Sequence, residues 1–552
     1  MRALLPLCAL FASLPTAQLP ADLREAYDVQ AYELALEVQP ERRHLGGSVR
    51  MTAVAQVDGL STIELDLTDE LEVIAVHSAS APLEFEHADG RIRAAWGSAL
   101  SAGDEFVLRV EYGGSPGAEN DFDGFHWVQT QSGAPWINTS CQGTGAHAWW
   151  PCKSSYYHPE DKPERVSMDI TVPEELYAVS NGRLEGISDA HEGRRTFRWR
   201  HPYPLETYTV TLNVAPYVVV ENELELEGFD EPVPWNYYVL PEDAEKAAVQ
   251  FTQMPELIRI FSEAFGPWPF PDAKIALVQT NFWGMEHSTA VAYGSSFPLW
   301  IEQNGGRDPW GGRNRWFDYI LVHEMAHEWW GNAVSATHWG DFWIHEGFGT
   351  YAEGVYVEGV DGREAADRYF AEQMRGVNRS RRSRLYRGAD VNSGEAYAGI
   401  IYSKGATVLH TLRHFVDDDE AWWTTLRQFN QEYRYGNAST EDFQAVLERN
   451  TGREWEVFME EWVYGEGVPR TRGSVSVGEG GIQIELTNEG TGSNGFHLPL
   501  DLAWREGESE RSERVWVAPG EFAHTLAVEG EVSELRLVHL DRMLGVHRIE
   551  VR

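Results

Sequence analysis

The chain has 552 residues, with 45 Lys plus Arg against 86 Asp plus Glu and a formal net charge of −41. That length exceeds one compact core, because domains run about 100–200 residues. An aromatic content of 12% excludes a mostly disordered chain. A polyanion of this size repels phosphate backbones and argues against nucleic acid as a partner. Three cysteines are too few for a disulfide scaffold.

The chain opens MRALLPLCALFASLPTAQLP. One Arg, a short apolar run and then small and polar residues fit an export signal over residues 1–18. The run is far shorter than the roughly 20 residues that cross a bilayer. No later stretch holds 18 uninterrupted apolar residues, so no membrane span is expected and the mature protein should be exported, to a periplasm or the medium. Cleavage would remove Cys8. Cys141 and Cys152 would remain, either paired or as two free thiols.

From about Tyr32 to Glu225, within a domain expected over 19–225, the hydrophobicity has period two, as in YELALEV, SVRMTAVAQV, RVSMDITVP and TYTVTLNVAPYVVV, with turn residues between the runs. That pattern predicts an antiparallel β domain. From about Glu242 to Val463, within a domain expected over 226–467, helical spacing dominates, in EDAEKAAVQFTQMPELIRIFSEAF, WFDYILVHEMAHEWWGNAV and SKGATVLHTLRHFV. STEDFQAVLERNTG predicts a short helix, with Ser439 and Asp442 as a capping box and Gly452 as its stop. Strand patterns return from 468 to 552 and predict a small C-terminal β-sandwich. The expectation is a multidomain α+β chain: β, then mainly α, then β.

The most informative run is His323-Glu324-Met325-Ala326-His327 in a helical segment. Positions four apart share a helix face, so both imidazoles can converge on one metal ion. Glu324 is placed to take a proton from a metal-held water. Two surface histidines on an amphipathic helix would give the same pattern. Glu346, nineteen residues after His327, is the candidate third ligand. Glu353, seven further on, shares its face and could accept a hydrogen bond from a ligand imidazole. Two His and one Glu form a catalytic zinc set, whereas structural zinc would draw on cysteine.

With the flanking sequence, HEMAHEWWGN followed by WGDFWIHEGFGTYAE resembles the gluzincin aminopeptidases, the family of aminopeptidase N and leukotriene hydrolase. Further segments resemble that family in the same order: TSCQGTGAHAWWPC, FWGMEHSTA, YAGIIYSKGATVL and VFMEEWVYGEGVP. Together they cover roughly residues 25–470. The resemblance implies an N-terminal β saddle, a thermolysin-like catalytic domain, and one Zn²⁺ per chain held by His323, His327 and Glu346. It implies a peptidase that removes N-terminal residues from peptides, with Glu324 as general base and Tyr402 donating its phenol to the oxyanion. Counting from a free N-terminus needs a fixed carboxylate near the metal. The resemblance assigns that role to Glu286, in the Gly284-Met285-Glu286 run, and a second amine contact to Gln142. Tyr397, five before Tyr402, is a further substrate-side candidate.

The chain departs from the family at His287, where Asn is usual, and at Trp283, where Gly is usual. Gly394 stands where the leukotriene hydrolase branch carries an Asp, which argues against epoxide hydrolysis. A non-catalytic peptide-binding relative and an endopeptidase on the same zinc site are the other readings. The intact ligands oppose the first and Glu286 opposes the second. The family's long C-terminal helical domain has no counterpart in these residues, which implies a more open site. Arg375, Arg379, Arg381, Arg382, Arg384 and Arg387 read as a solvated basic face, or as a rim contact for acidic peptides. The pairs Trp149-Trp150, Trp329-Trp330 and Trp422-Trp423 read as core. The sequence is silent on oligomeric state and on the preferred N-terminal residue.

Overall fold

The computed structural model describes residues 19–294, 296–305, 317–378, 384–492 and 495–552. The expected leader with Cys8 lies outside them, as do Arg379, Arg381 and Arg382. No helix among the described residues is long and apolar enough to cross a membrane.

The first region is built on a seven-stranded sheet with Tyr27–Gln39 at its centre. That strand pairs antiparallel with His44–Ala55 and parallel with Arg165–Pro173. Its register shifts between Val29 and Ala31, and the buried set changes from Tyr27 and Val29 to Tyr32, Leu34, Leu36 and Val38. A bulge moves the apolar face by one residue, so clean alternation starts only at Tyr32. In a second sheet, the strand Pro135–Ser140 delivers Gln142 toward the middle of the molecule. Cys141 and Cys152 are free thiols, both buried.

The segment TYTVTLNVAPYVVV is not one strand. Thr207–Thr209 forms a single 3-10 turn, and strands follow only at Asn213–Ala215 and Val218–Leu224. The buried threonine hydroxyls explain the break: Thr209 Oγ1 donates to the Glu206 carbonyl at 3.0 Å and Thr207 Oγ1 accepts from the Ser155 N–H at 2.8 Å. Such side-chain bonds compete with a ladder. Val218–Leu224 pairs instead with Val233–Val239, the second strand of a five-stranded sheet in the middle region.

That sheet continues through Ile275–Thr280 and Val291–Gly294 to an edge strand, Gly284–Met285. A mainly helical reading of 226–467 overlooks it. Ile275–Thr280 is buried at every residue, so it shows no alternation, as parallel strands covered on both faces do not.

Of the helices in the middle region, four carry or flank the site: α1 (Tyr319–Ala326), α2 (Trp343–Asp361), α3 (Arg363–Val377) and α4 (Ile400–Val416). Asp318 caps α1 through the Leu321 N–H. The helical pattern through Trp330 overshoots, since α1 ends at Ala326 and Gly331 takes a φ of 119°. Helices α2 and α4 cross closely at two glycines. A Cβ on Gly405 would lie 2.6 Å from the Gly347 Cα. The Thr440–Thr451 helix has the expected capping box and ends at Gly452 with φ 64°.

Residues from Pro469 onward form a four-stranded and a three-stranded sheet around their own core, which includes Val475, Ile484, Leu500, Leu502 and Val517. The fold is therefore the α+β arrangement expected: β, helical middle, β-sandwich. Of the tryptophan pairs, Trp423 is the exception to core status, half-buried with the Arg413 guanidinium 4.4 Å from its ring centroid.

Candidate active site

His323 and His327 lie one turn apart at the end of α1, their ring centroids 4.7 Å apart. Their Nε2 atoms are 3.1 Å from each other and 3.3 and 3.4 Å from Glu346 Oε2, in the first turn of α2. The opposite ring nitrogens are tied down. His327 Nδ1 donates to the Trp330 carbonyl at 2.8 Å, and His323 Nδ1 to Glu353 Oε1 at 2.9 Å. A carbonyl can only accept, so the His327 proton sits on Nδ1, and the carboxylate fixes His323 the same way. Three lone-pair donors thus face one point inside a buried pocket. Without a cation they would only repel, so the donor set fits a divalent metal of the imidazole–carboxylate class, zinc foremost. Glu353 also accepts from the Tyr369 hydroxyl of α3, the outer support that orients a ligand imidazole.

Glu324 points into the same cavity and rests on the backbone of Gly284. A Cβ there would stand 2.5 Å from Glu324 Oε1, so a side chain at that point would have to displace the carboxylate. Burial pushes the Glu324 carboxyl well above its ordinary pKa, against the pull of His323 and His327. The Tyr402 ring stacks on His323 with centroids 5.7 Å apart, and its hydroxyl donates to the Tyr397 hydroxyl at 3.3 Å. Burial, with Glu346 nearby, holds the Tyr402 phenol well above 10.

Glu286 is 2% exposed. Its Oε1 accepts from Gln142 Nε2 at 3.0 Å and from the Tyr208 hydroxyl at 2.9 Å. Gln142 Nε2 also donates to Glu346 Oε1 at 2.6 Å, joining the amine-side carboxylate to the ligand set. The Glu286 carbonyl accepts from Asn332 Nδ2 at 2.9 Å.

A cavity of about 1320 Å³ opens at this site. Every site residue singled out from sequence borders it: Gln142, Gly284, Met285, Glu286, His323, Glu324, His327, Glu346, Glu353, Tyr397 and Tyr402. Phe122 and Phe282 meet edge to face at 5.7 Å on one wall, beside Trp283, which is 62% exposed. His287 is fully buried, and burial pushes it down to about 3, so it is a neutral core group. Of the two departures, only Trp283 reshapes the cavity. Arg375 lies on its rim, 3.2 Å from Glu372, while Arg384 pairs outside it with Glu466 at 3.1 Å.

Sequence reasoning missed Tyr208, Asn332 and Tyr369. Tyr208 sits in a run that reads as a strand, and Tyr369 is one tyrosine in an ordinary amphipathic helix. Neither carries a local signal.

With this geometry, two family profiles match the chain: the peptidase M1 N-terminal domain over residues 28–209 and the peptidase family M1 domain over residues 249–462. The chain belongs to the peptidase M1 family. An M1 relative, the leukotriene A-4 hydrolase of Xenopus laevis, is 21% identical over 452 residues, covering 77% of this chain and 68% of that one. The protein named Probable aminopeptidase 2 of Sulfurisphaera tokodaii is 23% identical over 390 residues, covering 66% of this chain and 46% of that one. The chain thus spans less than half of the latter. The M1 zinc metallopeptidase of Deinococcus radiodurans, in a variant bound to a Tyr-Ser-Ala substrate, aligns with a TM-score of 0.66 at 23% identity, covering 81% of this chain and 96% of that one. It shares the M1 fold.

Proposed function

We propose that the protein is a zinc-dependent aminopeptidase that hydrolyses the first peptide bond of peptides with a free N-terminus. One observation carries the reading: the donor set His323–His327–Glu346 and the amine-side carboxylate Glu286 open into one cavity, bridged by Gln142. M1 family membership and the substrate-bound state of the Deinococcus neighbour support a peptide as substrate.

His323, His327 and Glu346 would hold one zinc ion, which supplies a Lewis acid for the scissile carbonyl and acidifies a water in the site. Glu324 takes the proton of the attacking water and passes it to the leaving amine. The protonated Tyr402 phenol donates to the oxygen that gains charge. Glu286 pairs with the substrate's ammonium. Gln142 gives both donor contacts to carboxylates, so its carbonyl oxygen is the acceptor turned to that amine. Gly284–Met285, at the sheet edge, lays the substrate backbone alongside as an added strand.

A panel of aminoacyl fluorogenic substrates, with and without N-terminal acetylation, tests the proposal. Free-amine substrates should be cleaved and acetylated ones spared, and Glu324→Gln should abolish turnover while keeping zinc bound. Equal cleavage of blocked and free peptides would overturn it. Export rests on the pattern of residues 1–18 alone, and N-terminal sequencing of the mature protein checks it.

A further inference from the structure

Glu286 lies at the end of a hydrogen-bond chain whose direction is fixed at every step. The backbone N–H of Ala336 donates to His345 Nε2 at 2.9 Å. A backbone amide can only donate, so Nε2 is a lone pair and the ring proton sits on Nδ1. That nitrogen lies 3.3 Å from the Tyr208 hydroxyl, which therefore accepts. The hydroxyl's own proton goes to Glu286 Oε1 at 2.9 Å. Tyr208 and His345 are both buried, and the Trp339 ring covers them with centroids at 5.6 and 5.8 Å. The chain crosses the molecule: Tyr208 comes from the first β region, while His345 stands on α2 beside Glu346.

We propose that Tyr208 and His345 are positioning residues for amine recognition. Together with Gln142, Tyr208 commits Oε1 of Glu286 to two fixed donors and turns the other carboxylate oxygen to the substrate's ammonium. His345 acts through Tyr208 by leaving its hydroxyl a single direction in which to donate. This rests on the reading of Glu286 as the amine anchor, and it adds that the first β region sets the anchor's orientation.

The test compares Tyr208→Phe, His345→Leu, the double variant and Glu286→Gln in the full chain. Tyr208→Phe keeps the ring, so the fold and the zinc content should persist. KM for free-amine substrates should rise about tenfold, the loss of one hydrogen bond to a charged acceptor, with a smaller change in kcat. His345→Leu should move KM the same way by less, and the double variant should not exceed Tyr208→Phe, because the two residues act in series. An unchanged KM in Tyr208→Phe beside a raised KM in Glu286→Gln overturns the positioning role and leaves the anchor standing. Loss of zinc from Tyr208→Phe would assign the tyrosine to the metal site and also overturn it. If Glu286→Gln itself leaves KM unchanged, the anchor reading fails and positioning for amine recognition falls with it. A crystal structure of Tyr208→Phe adds a readout apart from kinetics: a Glu286 carboxylate that stays within about 0.5 Å of its place overturns positioning, and one that swings off Gln142, beside a raised KM, upholds it.

Discussion

Gly284 and Glu324 are forty residues apart in sequence and touch in the structure. The carboxylate lies where a side chain at Gly284 would begin, 2.5 Å from the nearest oxygen. The edge strand thus sets the height of the Glu324 carboxylate above the donor set. Gly284→Ala should displace that carboxylate without touching a zinc ligand. A shift of this size costs about a hundredfold in rate, so kcat/KM should fall by that order with zinc content unchanged, as read by steady-state kinetics and metal analysis. Full activity would mean the base does not need this placement. The glycine was legible in sequence as part of a family signature, but its reason was not, because the atom it avoids comes from another element.

Helices α2 and α4 carry Glu346, Glu353 and Tyr402, and their crossing decides how far the phenol stands from the ligand set. Gly347 and Gly405 let the backbones meet, and a Cβ at Gly405 would lie 2.6 Å from the Gly347 Cα. Backbone atoms cannot rotate away as a side chain can. Gly405→Ala should therefore separate the helices and destabilise the protein by about 1–3 kcal/mol, seen as a lower urea midpoint, with a loss of kcat from the displaced Tyr402. Both helices were legible from their spacing, and so was the capped Thr440–Thr451 helix. The end of α1 was not. The apolar residues of HEWWGN continue the helical pattern, yet Trp329 and Trp330 are buried by packing after the helix has stopped.

The C-terminal sandwich is locked to the catalytic region by charged groups. Asp501 is 3.2 Å from His414 Nε2 of α4, and it accepts from Arg514 Nε and Nη2 at 2.6 and 2.9 Å. Arg542 Nε reaches Asp367 of α3 at 2.9 Å. Burial acts to raise the Asp501 pKa, but the His414 and Arg514 hydrogen bonds outweigh it and hold the carboxyl well below its ordinary value of 3.8. A depressed carboxylate pKa contributes stability that is complete above the unfolded value and lost as pH falls through the folded one. Asp501→Asn should therefore lower Tm at neutral pH, and the gap to the parent protein should shrink below about pH 4. A gap independent of pH would mean the charge contributes nothing to docking.

The sequence alone determined the order β, helical, β and singled out His323, Glu324, His327, Glu346 and Glu286 as candidates. Period two marks the strands and a four-residue step brings the imidazoles to one face, while Glu286 was marked by resemblance to the family's glycine-led run. Tertiary structure decided what joins those pieces. The parallel-paired strand Ile275–Thr280 under the site is buried at every residue and leaves no alternation to read. Glu286 owes its orientation to Tyr208 and Gln142, 78 and 144 residues away. No periodicity carries such contacts, because they depend on which side chains two separately folded regions bring to a shared cavity.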